Sequence, residues 1–321
     1  MKVASSAIST LYNLFRLLCL LLISFIIPLA VFASPERDSG RTLDPQLQAE
    51  AQLADILEAK SVQPNQDRVL RILAIGNSFS EDAIENYLHE LAAEAGIKMI
   101  IGNMYIGGAS LDLHWKNAQE NAEAYEYRKI SLDGEKTRTP NTSIATALKD
   151  EQWDYISLQQ VSGHSGQFET FEKTLPQLLT YVKNQNPNPE TEYILHQTWA
   201  YATTSDHTNF PNYDKDQDLM YTSIVNAVSK AQQLTGMEHM VPAGTAIQNG
   251  RSVLGDQFTR DGYHLSLELG RYTAACTWFE YLTGKTVVGL KFAPQGLSQQ
   301  EIRVAQEAAH AAVQDPIKVT L

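Results

Sequence analysis

The stretch "RVLRILAIGNSFSEDAIENYLHELAAEAG", residues 68–96, decides the fold. An apolar run over 69–75 has the length of a strand. The segment that follows carries Ile84, Leu88, Leu91 and Ala95 at spacings of three or four, the single apolar face of an amphipathic helix. Ser80 is placed to cap that helix, Glu81 and Asp82 suit its positive N-terminal end, and Gly96 suits a left-handed stop. Between strand and helix stands a turn of small residues, Gly76-Asn77-Ser78, more than a plain connection requires. A serine at the C-terminal end of a strand and the N-terminal end of a helix is also where an open α/β sheet places its chemistry.

The strand–helix alternation continues outward from this unit. Apolar runs at 97–105, 153–158, 192–196 and 238–242 follow the first, with helical stretches near 143–150, 170–184, 218–235 and 266–283. Short, nearly continuous apolar strands separated by helices predict a five-stranded parallel sheet covered on both faces. Residues 125–142 break the pattern. Asp133-Gly134 between two β-prone runs reads as a hairpin insertion. Residues 201–218 form a long polar loop of the length that marks a binding loop or a disordered insert. A tail helix is expected near 297–313.

Upstream, Lys2 precedes and Arg16 lies near the start of the stretch "LYNLFRLLCLLLISFIIPLAVFA", which ends in the small-residue pattern Val31-Phe32-Ala33. This reads as a secretory signal over residues 1–33, with an uncleaved anchor helix as the alternative. Residues 34–67 read as a polar linker with a short helical piece. The catalytic domain is expected over 68–285, with a C-terminal extension over 286–321 whose helix packs on it. The predicted address is therefore secreted or periplasmic, with no stable membrane span after processing.

The 321 residues carry a formal charge of -12. Removing residues 1–33 deletes Lys2 and Arg16 and no acid, taking two positive charges and leaving -14. Such acidity argues against nucleic acid or an anionic membrane as partner. At 43% hydrophobic and 19% charged, the chain can bury a core of ordinary size. Cys276 is the one cysteine left after processing, so no intrachain disulfide forms; its helical context reads as a packed thiol.

A serine hydroxyl becomes a nucleophile when a base, usually histidine, takes its proton and a carboxylate orients that base. Hydrogen-bond donors must also face the developing oxyanion. Each strand end offers a part: "GNSFS" gives Ser78, "NMYIGGAS" gives Gly107 and Gly108, "DYISLQQVSG" gives Gln159 and Gln160, and "ILHQTWAY" gives His196 and Trp199. Late in the chain "TRDGYHLS" sets Asp261 and His264 three residues apart, a spacing that lets the carboxylate reach the imidazole. Asn77, Gly107, Gln159, His196 and Trp199 are candidates for contacting substrate. Each feature alone has a plain structural reading, as cap, turn, backbone-satisfying amide or core aromatic.

In these blocks the chain resembles the SGNH (GDSL-type) hydrolase superfamily, in one of its secreted bacterial branches of domain-of-unknown-function type. The likeness spans roughly residues 69–285. "AIGNSFS" is similar to the first block, with Asn77 in place of the commoner Asp; "IGGAS" stands for the second and "DGYHLS" for the last. The resemblance implies a three-layer α/β/α sandwich of flavodoxin-like type. It also implies Ser78 as nucleophile, His264 as base and Asp261 as its orienting acid. The oxyanion hole would be made by Gly108 or Gly107 and by an amide at the third block. That block departs from the family's Gly-x-Asn-Asp; by likeness to carbohydrate-esterase branches with a glutamine there, Gln160 is the choice and Gln159 the next.

The implied reaction is hydrolysis of an O-acetyl or other short acyl ester on a carbohydrate, with a small-molecule or glycan ester as partner and no metal or organic cofactor. Two rivals are a hydrolase of lipid or thioester substrates and a catalytically silent glycan-binding protein on the same fold. None of the eight histidines pairs at metal-ligand spacing on one helix. The acidic run Asp214–Asp218 lacks the glycine and the final glutamate of a calcium loop, and reads as a helix lead-in.

Overall fold

The computed structural model describes residues 68–321. The expectations for residues 1–33 and 34–67 lie outside the described residues. No helix among the described residues is long and apolar enough to cross a membrane.

Among the described residues seven strands form one mixed sheet in the order β4-β3-β2-β1-β5-β6-β7. The strands are β1 (Val69–Gly76), β2 (Lys98–Tyr105), β3 (Tyr125–Ile130), β4 (Lys136–Thr142), β5 (Tyr155–Leu158), β6 (Glu192–His196) and β7 (His239–Val241). β2, β1, β5, β6 and β7 are mutually parallel and coincide with the five expected strands. The expected count of five falls short because the 125–142 hairpin joins the sheet. β3 pairs antiparallel to the outer edge of β2, and β4 to β3. The hairpin thus covers an edge that would otherwise present unpaired backbone.

β1 lies at the centre. Ile72, Leu73, Ala74 and Ile75 are each 1% exposed or less, so neighbours along the strand are buried on opposite faces. Each large aliphatic here contributes about 1.5–3 kcal/mol relative to an exposed position. Two packed groups of helices flank the sheet. One contains α1 (Ser78–Ile84), α2 (Leu88–Glu94), α8 (Ala243–Leu254), α9 (Leu269–Thr283) and α10 (Gln299–Gln314). The other contains α3 (Leu111–Glu120), α4 (Ile144–Leu148), α5 (Phe168–Glu172), α6 (Leu175–Gln185) and α7 (Gln217–Thr235). Cys276 is buried in α9, as its context suggested. The tail helix α10 opens with a Ser298/Glu301 capping box and packs on α8 and α9. Gln306 there donates to the Tyr272 hydroxyl at 2.9 Å.

The helix expected over 80–95 is two helices. Tyr87, at φ 68, breaks it, and its hydroxyl donates to Leu267 O at 2.9 Å. The cap is Asn77 rather than Ser80, whose hydroxyl instead sits 2.8 Å from Asn77 O and 2.9 Å from Asn103 Oδ1. Chain order 2-1-5-6-7 in the parallel part reverses direction between β1 and β5, which opens a crevice beyond their C-terminal ends. The Gly76–Ser78 turn and Gln159 stand at that reversal.

Candidate active site

The turn after β1 is built tightly. Asn77 Oδ1 accepts from Phe79 N at 2.9 Å, capping α1, while Asn77 Nδ2 donates to Ala109 O at 2.9 Å. One side chain therefore fixes the start of α1 and holds the Gly107-Gly108-Ala109 turn beside it. Gly76 permits this closeness: a Cβ there would stand 2.5 Å from Ser80 Oγ and 3.1 Å from Gln159 Cδ. Ser78, half-buried, is left at the first position of α1, where the N–H groups of an opening helix point outward.

The loop carrying Asp261 and His264 meets it from the far end of the chain. Ser78 Oγ lies 2.9 Å from His264 Nε2, and His264 Nδ1 lies 2.7 Å from Asp261 Oδ2. Burial would raise the Asp261 carboxyl, but hydrogen bonds from the His264 ring and from the His264 and Tyr263 backbone outweigh it and hold the acid below its usual range. An ionised Asp261 accepts only, so the ring proton sits on Nδ1. Nε2 then presents its lone pair to the Ser78 hydroxyl.

These groups open onto a cleft of about 300 Å³. Gly107 and Gly108 line it, both exposed, and Gly108 adopts φ +66 with open space where a side chain would project. That conformation favours glycine. Tyr105, Tyr263 and His207 form walls. Tyr105 is held by the Arg128 guanidinium, 3.6 Å from its ring centroid, and Arg128 itself is paired with Glu81 at 3.1 Å. The hairpin strand β3, which carries Arg128, thereby supports one wall. His207 comes from the polar 201–218 loop. Its Nδ1 accepts from Asn209 N at 3.2 Å, which places the proton of the neutral ring on Nε2. Burial, followed by the nearby His264, pushes its pKa down.

Several expected site residues are elsewhere. Gln160 turns away from Ser78: its Oε1 accepts from Leu111 N at 3.0 Å and Val161 N at 2.9 Å, and its Nε2 donates to Thr170 Oγ1 at 3.0 Å. Its Nε2 also donates to Thr170 O at 3.3 Å, so Gln160 ties the end of β5 to α3 and α5 with its amide nitrogen turned to Thr170. Gln159 does face the Ser78 turn, but from behind it, and its Nε2 donates to Asn77 Oδ1 at 2.8 Å. Its Oε1 accepts from His196 Nδ1 at 2.9 Å. His196 is 3% exposed and burial pushes its pKa down to about 3, so it is a neutral buried donor rather than a substrate contact. Trp199 is likewise fully buried. It stacks on Phe79 with centroids 4.3 Å apart, and its Nε1 donates to Tyr263 O at 2.7 Å. Gln159, His196 and Trp199 thus form the frame behind the cleft, whereas Asn77, almost fully buried, lines its floor beside Ser78.

Tyr105, Tyr263 and His207 were missed among the walls, as was the support from Arg128. Tyr263 could have been found inside the quoted "DGYH", and His207 within a loop already marked as a binding loop.

Residues 71–312 match the family described as a domain of unknown function, DUF4886. The chain belongs to the DUF4886 family. It is 53% identical to a DUF4886 family protein of known structure from Bacteroides uniformis, over 79% of this chain and 98% of that one, with a TM-score of 0.78. Looser likenesses include a protein from Slackia heliotrinireducens whose assignment to the SGNH hydrolases is provisional (20% identity, 67% of this chain and 100% of that one, TM-score 0.46). An acetylxylan esterase from Geobacillus stearothermophilus is similar at 12% identity, over 67% of this chain and 94% of that one, with a TM-score of 0.44. Overlaps this loose say nothing of what this DUF4886 chain does. No curated protein matches it.

Proposed function

We propose that this DUF4886 protein is an exported serine esterase of SGNH type that removes a short acyl group, most simply acetyl, from a carbohydrate. The observation that carries the reading is the pair of contacts at one site, 2.9 Å from Ser78 Oγ to His264 Nε2 and 2.7 Å from His264 Nδ1 to Asp261 Oδ2. Chain segments 186 residues apart converge to make the first. A serine that merely caps a helix requires neither partner.

In this reading Ser78 Oγ attacks the ester carbonyl carbon as its proton passes to His264 Nε2, with Asp261 stabilising the imidazolium. The N–H groups of Ser78 and Gly108 hold the oxyanion, with Gly107 beside them, and no side-chain amide is required. His264 returns the proton to the departing alcohol, which leaves Ser78 acylated. Water then attacks the acyl carbon, gives its proton to His264, and the carboxylic acid departs as Ser78 regains its hydrogen. The chemistry needs no metal or organic cofactor. A cleft of about 300 Å³ is at the small end for ligand sites and suits a short acyl group better than a long chain. Two tyrosines and a neutral imidazole donor at its walls suit a sugar. The catalytic domain is assigned to 68–285, with 286–321 as an extension that packs on it.

Labelling by a fluorophosphonate probe tests the mechanism. The wild-type chain is expected to react at Ser78 and Ser78→Ala to be inert; an unreactive wild type would sink the proposal. A panel of p-nitrophenyl esters tests the acyl group, with activity expected to peak at two to four carbons. An optimum at long chains would replace the carbohydrate ester by a lipid.

A further inference from the structure

Four residues beyond Ser78, on the same helix α1, Asp82 buries its carboxylate with the side chain only 1% exposed. Both oxygens are fully engaged. Oδ1 accepts from Arg271 Nε at 2.8 Å and Nη2 at 2.7 Å, and from Arg260 Nη1 at 3.1 Å. Oδ2 accepts from the Leu265 backbone at 2.8 Å and from Arg260 Nη1 at 3.1 Å. Burying a charge among two guanidinium groups is a poor route to stability compared with apolar packing of the same volume. Its retention asks for another reason, and the identity of the partners supplies one.

Arg260 immediately precedes Asp261, and Leu265 immediately follows His264. The segment between them is closed on itself: Arg260 N donates to His264 O at 2.9 Å, Thr259 bridges Leu265, and Arg260 Nη1 donates to Leu265 O. Asp82 therefore grips both shoulders of the loop that presents the acid and the imidazole. Arg271, on α9, braces the same carboxylate from a third element. Ser78 and Asp82 are separated by about 6 Å along the helix axis. A rigid helical turn thus links the nucleophile to the anchor of its base.

We infer that Asp82 is a positioning residue that sets the distance between Ser78 and His264 by clamping the Asp261–His264 loop to the nucleophile's own helix. Its consequence for rate rests on the esterase reading; its geometric consequence does not. An ion pair that merely stabilised the fold would leave the Ser78–His264 contact intact when weakened. A clamp that sets register would not.

The test is Asp82→Asn in the full chain, with Arg260→Gln as a milder variant that removes one arm. Ile224→Ala on α7, at a buried position outside the cleft lining, serves as a stability control. Misplacing a reacting group by about 1 Å costs on the order of 100-fold. For Asp82→Asn, kcat on a short p-nitrophenyl ester is expected to fall about 10–100-fold with KM within about twofold, and fluorophosphonate labelling to slow in parallel. Arg260→Gln should show the same split to a lesser degree, and Ile224→Ala should lower Tm without changing kcat. A crystal structure of Asp82→Asn should place Ser78 Oγ beyond hydrogen-bond reach of His264 Nε2. Retained kcat in both clamp variants, or an unchanged contact in the crystal, overturns the inference. If the wild type neither hydrolyses esters nor labels, the esterase reading fails separately, and the crystallographic distance still decides the clamp.

Discussion

Replacing Asp261 by asparagine isolates the orienting role proposed for the acid, because the geometry dictates how the amide must sit. Asp261 Oδ1 accepts from His264 N at 2.7 Å and Tyr263 N at 3.2 Å. In Asp261→Asn that position must remain the carbonyl oxygen, since an NH2 group would face two donors. The amide nitrogen then falls where Oδ2 stood, 2.7 Å from His264 Nδ1, and donates to it. His264 is driven into the tautomer with its proton on Nε2, pointing at Ser78 Oγ, and can no longer accept the serine proton. The same change in a buried Ser-His-Asp triad costs about 10⁴ in kcat. Here the Asp261 side chain is 40% exposed, so water relieves part of the misfit. A loss of about 10³ in kcat/KM is expected, or about 4 kcal/mol of transition-state stabilisation at 1.36 kcal/mol per decade. The assay is hydrolysis of p-nitrophenyl acetate near pH 7.5, with Ser78→Ala giving the background and Tm confirming the fold. Less than a tenfold loss in a variant that melts like the wild type would refute the orienting role.

The same carboxyl makes a prediction about acid. Its folded pKa lies below its ordinary value of 3.8, so the stability it contributes is present above that value and is lost as pH falls through the lower folded one; urea titrations between about pH 2 and 5 should show a shallower acid limb in Asp261→Asn. Gln159→Leu leaves the buried Nδ1–H of His196 without an acceptor and removes a donor to Asn77, and should cost about 1–3 kcal/mol in chemical denaturation. An unchanged denaturation midpoint would show that this frame is not taut. Gly76→Ala pushes a methyl to 2.5 Å from Ser80 Oγ, and overpacking of this kind should cost about 1–3 kcal/mol and slow fluorophosphonate labelling. Loss of stability with labelling unaffected would separate the turn's packing from the proposed chemistry.

Much of the sheet was legible because a strand buried on both faces is written locally, as in "VLRILAIG" and "EYILH". The hairpin was also legible at Asp133-Gly134, but its docking was not. Whether β3 covers the edge of β2 or projects into solvent depends on a partner distant in sequence. β4 itself, exposed at every position but its last, gives no sign of a side that must be covered. Helices α3 and α8 went unread for a related reason. α8 carries Gly244 in its first turn and Gly250 in its interior, poor helix formers, yet the segment is largely buried beneath α9 and α10. Packing there overrides propensity. The break at Tyr87 was likewise hidden, since the apolar spacing of 84, 88 and 91 continues across it.

At the site, the convergence of Ser78, His264 and Asp261 followed from short motifs, whereas the glutamine pair could not be resolved by motif alone. Adjacent residues at a strand end point to opposite sides, so a shift of one position exchanges their roles. Gln159 braces Asn77 and Gln160 braces α3, which leaves the proposed oxyanion site to backbone N–H groups. That division has a physical logic. A side-chain amide aimed into a wet cleft retains rotamer freedom, whereas the same amide locked behind the turn restrains the turn itself. The residues around Ser78 thus act mostly at one remove: Asn77 fixes the start of the helix and the glycine turn, Gln159 fixes Asn77, and Asp82 is inferred to fix the loop of the base. Short motifs announce the groups proposed to meet substrate. The groups that hold them in register are scattered through the chain as single buried polar residues, and these become readable only once the fold shows what each one touches.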